Sequence, residues 1–160
     1  MGRWLPWRGP PARGLREEGT KVSAQPNLLL DTCAMLFLAQ ETRIDSETLW
    51  EISEASYDGR LHVSPISAWE IGIGVSKGRL SLPLAPLDFI ERFIERMQVR
   101  LSPLTPAILV SSSNLPGNIH GDPIDRILIA TARALDLVLV TSDRPILTYA
   151  KAGHLRTLAC

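Results

Sequence analysis

The chain has 160 residues, 45% of them hydrophobic and 21% charged, with 17 Lys and Arg balancing 17 Asp and Glu. That length suits one domain with a sizeable core, and the neutral balance excludes the overall basic excess of a dedicated nucleic-acid binder while leaving room for a local patch. Two cysteines, Cys33 and Cys160, rule out a disulfide framework and lack metal-ligand spacing. A reducing, cytoplasmic setting is therefore the simplest expectation, and no apolar run is long enough to span a bilayer.

Residues 1–26 are rich in Arg, Gly and Pro and show no hydrophobic periodicity. They read as a flexible arm, or as an over-extended start of the reading frame, ahead of a domain over 27–160. Arg3, Arg8, Arg13, Arg16 and Lys21 give the arm a basic character that suits either contact with nucleic acid or plain solvation.

From Asn27 the pattern changes. Leu28-Leu29-Leu30 is a short buried strand ending at Asp31, and a helix follows through Met35, Leu36, Leu38 and Ala39. Asp45-Ser46 opens a second helix that Gly59 ends. Leu61, Val63 and Ile66 suggest a second strand, after which Ser67-Ala68-Trp69-Glu70 opens a helix closing near Gly78. Ser81 to Pro86 reads as loop. Leu87, Ile90, Phe93, Ile94 and Met97 form one apolar stripe of an amphipathic helix. Val99, Leu101 and Leu104 suggest a third strand, and Thr105 to Asn114 a helix. Pro123 then starts a helix running to Asp136 with Asp122 at its N-cap. Val138-Leu139-Val140 makes a fourth strand running out into Thr141-Ser142-Asp143, and Leu155 to Leu158 a fifth. Strands alternating with helices give an α/β fold with a largely parallel sheet.

Four acids stand out by position. Asp31 and Asp143 follow strands, where the ligands of open α/β sheets bind. Glu70 comes a few residues after the second strand, and Asp125 sits in the first turn of the helix after Pro123. Each has a structural alternative. Asp31 and Asp143 suit N-caps, Ser67 and Glu70 have capping-box spacing, and Asp125 complements a helix dipole. Gathered together, four anions would repel and raise one another's pKa unless a cation sat among them. Oxygen-only ligands suit Mg²⁺ or Mn²⁺, which assists hydrolysis of a phosphodiester.

The segments LLLDTCAMLFLA, SAWEIGIGVSKGRLSLP, HGDPIDRILIATA and LVTSDRPI, in this order, resemble the motifs of the PIN-domain family, and more narrowly those of VapC-type toxins of bacterial toxin–antitoxin pairs. The match covers nearly all of residues 27–158. It implies a three-layer α/β/α fold with about five short strands. The family's acids fall on Asp31, Glu70, Asp125 and Asp143. The resemblance implies a Mg²⁺- or Mn²⁺-dependent endoribonuclease cutting RNA with a metal-activated water, dimeric, and held silent by a cognate antitoxin of the VapB kind. Two other classes compete: a catalytically silent module that binds metal and RNA, and a phosphate-accepting signalling domain.

The remaining candidates have two readings each. Asp122 is a water-mediated metal ligand or simply the cap. Thr32, Thr141 and Ser142 support the acids by hydrogen bonds, or are turn residues. Arg126 and Arg144 hold a substrate phosphate, or pair with a neighbouring aspartate. His120 is a general base or an ordinary loop histidine, and Trp69 a core residue or a base-stacking platform.

Overall fold

The computed structural model describes residues 25–42, 44–119 and 121–160. The expected arm lies outside the described residues except for its last two, and so does His120. The described elements run in order β1 (Leu28–Leu30), α1 (Thr32–Gln40), α2 (Ser46–Tyr57), β2 (Leu61–Val63), α3 (Pro65–Ser76), α4 (Pro86–Met97), β3 (Arg100–Leu101), α5 (Pro106–Ser113), α6 (Pro123–Ala134), β4 (Val138–Thr141), α7 (Arg144–Lys151) and β5 (Thr157–Ala159). The five strands form one parallel sheet in the order β3-β2-β1-β4-β5. Among the described residues, no helix is long and apolar enough to cross a membrane.

Strand β1 is buried on both faces, which is why it reads as an unbroken leucine run rather than an alternating one. Leu28 and Leu30 face one core with Ala34, Met35, Ile52, Ile71, Phe89 and Phe93, drawn from α1, α2, α3 and α4. Leu29 faces the other, with Leu128 and Ile129 of α6, Leu139 of β4, and Ile146 and Tyr149 of α7. The sheet is thus covered on both sides, giving the three layers expected. Helix α3 touches both cores, through Ile71 on one side and Ile66 on the other.

Several local expectations shift. Ile66 belongs to α3, not to the second strand, because Pro65 opens the helix at its first turn and the Ser64 hydroxyl accepts the Ile66 N–H at 3.3 Å as its cap. The capping box expected at Ser67 and Glu70 is therefore not the helix start: Ser67 lies inside α3, fully buried, with its hydroxyl unpartnered. The third strand shrinks to two residues, ahead of Pro103, which has no N–H to give to a ladder. The apolar stripe of α4 uses Phe89, Ile90, Phe93 and Met97, while Leu87 points to solvent.

The chain moves outward from β1 to β2 to β3, then crosses back to place β4 on β1's other side. The strand order reverses between β1 and β4, and ligands of such sheets bind in the crevice outside the carboxyl ends at that reversal. The pairs Leu30–Val140 and Leu30–Val63 are in register. The next residue of β1's chain is Asp31.

Candidate active site

Asp31 leaves β1 in extended conformation, its N–H bonded to the Val140 carbonyl at 3.0 Å. It caps α1, its carboxylate accepting the Ala34 N–H at 2.6 Å. Asp143 does the same after β4, accepting the Ile146 N–H at 2.9 Å to cap α7. Both strand-end aspartates are therefore N-caps, and both stand at the switch point. A carboxylate that caps through one oxygen presents a second oxygen for other work, so capping and ligand roles do not compete.

Thr141 joins the two. Its hydroxyl accepts the Asp143 N–H at 3.0 Å and bonds the Asp31 carboxylate, which it helps keep ionised. Ser142 is half-buried between them. Thr32 is buried beside Asp31, and its hydroxyl has no hydrogen-bond partner.

Glu70 sits one turn past Ser67 in α3, half-buried and away from the cap. Asp125 is half-buried in the first turn of α6. Helix α3, which carries Glu70, packs against both α1 and α6, the helix of Asp125. Electrostatics register the convergence. Burial pushes the Asp31 carboxyl up to about 6 from an ordinary 3.8, with Glu70 and Asp143 adding to the rise. Cys33 is exposed as a residue, yet its thiol is pushed up to about 11, first by desolvation and then by Asp31, Glu70, Asp125 and Asp143. One sulfur thus senses all four expected acids.

As they stand, no three acidic, histidine or cysteine side chains among the described residues are gathered tightly enough to hold an ion. The four acids form a loose group. The chemistry of the set nonetheless suits a hard divalent cation: the donors are all oxygens, Asp31 is only 5% exposed with its charge penalised, and the adjacent Thr32 hydroxyl is unsatisfied.

The other candidates separate. Asp122 caps α6, its Oδ1 accepting the N–H groups of Ile124 at 2.9 Å and Asp125 at 3.2 Å. Arg126, expected at a phosphate, donates instead to the carbonyls of Ser112 at 2.9 Å and Ser113 at 3.1 Å, tying the end of α5 to α6. Arg144 is exposed at the head of α7. Trp69 is 54% exposed rather than core. Burial pushes the Cys160 thiol up to about 12, with Asp31 and then Cys33 adding to the rise.

The PIN-domain family model matches residues 28–152. Ribonuclease VapC22 of Mycobacterium tuberculosis is 30% identical over 118 residues, covering 73% of this chain and 87% of that protein. In shape the chain is similar to a chain of VapBC2 from Rickettsia felis bound to a DNA fragment from its promoter, with a TM-score of 0.61, 16% identity and coverage of 82% and 97%. It is also similar to a chain of FitAB bound to the IR36 DNA fragment, with a TM-score of 0.53, 19% identity and coverage of 82% and 94%. The matched region spans every acid of the crevice, and this chain belongs to the PIN-domain family, in its VapC-type branch.

Proposed function

We propose that this chain is a divalent-metal-dependent endoribonuclease that acts as the toxin of a toxin–antitoxin pair, dimeric and neutralised by a cognate antitoxin. The observation that carries this reading is the pair of strand-end aspartates, Asp31 and Asp143, capping α1 and α7 side by side at the strand-order reversal, with Glu70 and Asp125 near enough to act on the intervening Cys33 thiol. The names of the similar proteins support the same direction: one is called a ribonuclease, and the solved structures are VapBC and FitAB assemblies on DNA.

Asp31, Glu70, Asp125 and Asp143 would hold Mg²⁺ or Mn²⁺. When bound, such an ion supplies activation of water and neutralisation of charge at a phosphodiester. The chain's own residues do the positioning. Thr141 bonds both the Asp31 carboxylate and the Asp143 N–H, and each aspartate carboxylate also caps its helix, α1 or α7. Arg144, the first residue of α7 and next to Asp143, would meet a phosphate oxygen of the substrate. Rate enhancement of this kind rests on orientation and on charge set where it develops.

The test is cleavage of tRNA, rRNA and single-stranded DNA side by side in Mn²⁺. RNA should be cut, and Asp31→Asn and Asp125→Asn should each lose about 100-fold or more in rate. Full activity in either variant overturns the assignment. Cell toxicity that survives loss of cleavage would favour a silent RNA-binding module instead.

A further inference from the structure

A groove of about 530 Å³ runs along α7, lined among others by Asn118, Ile119, Arg144, Thr148, Ala152 and His154. Arg144, Thr148 and Ala152 are four residues apart, so they form one stripe down the helix. At 1.5 Å per residue that stripe is about 12 Å long. Its head is the residue after Asp143. Its opposite wall, Asn118 and Ile119, belongs to the segment leading into Asp122 and the first turn of α6. Both walls therefore start from elements that carry crevice acids.

The groove is built rather than incidental. The Tyr149 hydroxyl donates to the Pro116 carbonyl at 2.7 Å, pinning the 114–119 segment over α7. The Tyr149 and His154 rings lie 4.9 Å apart, tilted by 31°. His154 packs so close to the segment's backbone that a Cβ at Gly117 would lie 2.6 Å from its Nε2, and Gly117 has φ +71° as well. The lining carries the Arg144 guanidinium at the head of α7, the Asn118 amide, the Thr148 hydroxyl and the His154 imidazole, with Ile119, Pro145 and Ala152 as apolar surface.

We propose that this groove receives the single-stranded RNA flanking the scissile phosphate. In it Arg144 meets a phosphate, Asn118 and Thr148 meet polar base or ribose groups, and Ile119 and Ala152 support a base. This rests on the nuclease reading above and adds a determinant of which sequences are cut. The volume lies in the range of small-ligand pockets, about 300–1,000 Å³. That space suits one or two unstacked nucleotides. Reading of RNA sequence falls mainly on such splayed bases, held by stacking, polar edges and a cation.

The experiment uses the full chain and a short, labelled, mixed-sequence single-stranded RNA, with polarisation read in Ca²⁺. Ala152→Trp fills the groove from an exposed position, and Asn118→Ala removes a polar contact from another. Ala152→Trp should weaken RNA binding about tenfold, and Asn118→Ala several-fold, with unchanged melting temperatures. In Mn²⁺ both should raise KM more than they lower kcat, and shift the base preference at the cut sites. Binding, KM and cut sites all equal to wild type would overturn the groove while leaving the nuclease intact. A wild type that cleaves nothing, with RNA binding that Ala152→Trp weakens, would keep the groove as an RNA site and end the nuclease reading. RNA binding and cut sites retained while antitoxin binding is lost would assign the groove to a protein partner, and overturn the proposal.

Discussion

The hydroxyl of Thr141 bonds the carboxylate of Asp31, although 110 positions separate the two along the chain. The same oxygen accepts the Asp143 N–H at 3.0 Å, and Thr141 is fully buried. The parallel register of β1 and β4 sets this up, since Asp31 and Thr141 each come one residue after the Leu30–Val140 pair. A single side chain thus holds two expected ligands in one frame.

Thr141→Val keeps the shape and removes both bonds. It should destabilise the fold by about 1–3 kcal/mol, as the Asp143 N–H loses its partner. It should also weaken the rise in melting temperature that Mn²⁺ gives the wild type. Urea unfolding and thermal melts with and without Mn²⁺ check both effects, and wild-type behaviour in each would deny Thr141 this role.

Asp31 predicts a pH signature in chelator. Burial first, then Glu70 and Asp143, hold its carboxyl at about 6 in the folded chain, against 3.8 ordinarily. The folded state therefore keeps a proton that the unfolded state has already released. The stability from this group is full below 3.8 and lost as pH rises through about 6. Asp31→Asn, which retains a capping oxygen, should gain on wild type by roughly 2–3 kcal/mol between those limits. Parallel urea-midpoint curves for the two proteins would contradict the raised carboxyl.

Asp122 and Asp125 should part company. Asp122→Asn keeps a good cap and should keep cleavage, while Asp122→Ala should cost about 1 kcal/mol of stability. Asp125→Asn should lose about 100-fold or more in cleavage rate yet melt no lower than wild type in chelator, because it removes one of several neighbouring anions. Loss of cleavage in a folded Asp122→Asn would make Asp122 a ligand as well as the cap.

Arg126→Met should lower stability by about 1–2 kcal/mol, since its guanidinium satisfies the Ser112 and Ser113 carbonyls at the end of α5. Its KM for RNA should stay near the wild-type value. A several-fold rise in KM without loss of stability would return Arg126 to the substrate.

Three of the four acids stand at local signals in the sequence, an apolar run ending in Asp31, a strand running into Asp143, and Pro123 marking the helix of Asp125, whereas Glu70 has no signal of that kind. The start of α3 was also written locally, in Ser64-Pro65, but Val63 and Ile66 continued an apolar pattern across it and Ser67-x-x-Glu70 offered a competing cap. The anchoring of Arg126 could not be read, because its acceptors lie on α5, whose placement against α6 is a tertiary fact. Nor could the groove along α7, which depends on Tyr149 holding a distant carbonyl. In α4, Leu87 fits the stripe by spacing, yet Phe89 and Phe93 fill the core while Leu87 faces solvent.

Mn²⁺ binding measured by the loss of free-ion EPR signal bears most directly on the shared crevice. Wild type should bind, and Asp31→Asn, Glu70→Gln, Asp125→Asn and Asp143→Asn should each bind about tenfold or more weakly while still folded. Any one of the four binding Mn²⁺ as tightly as wild type would show that the acids do not form a single site.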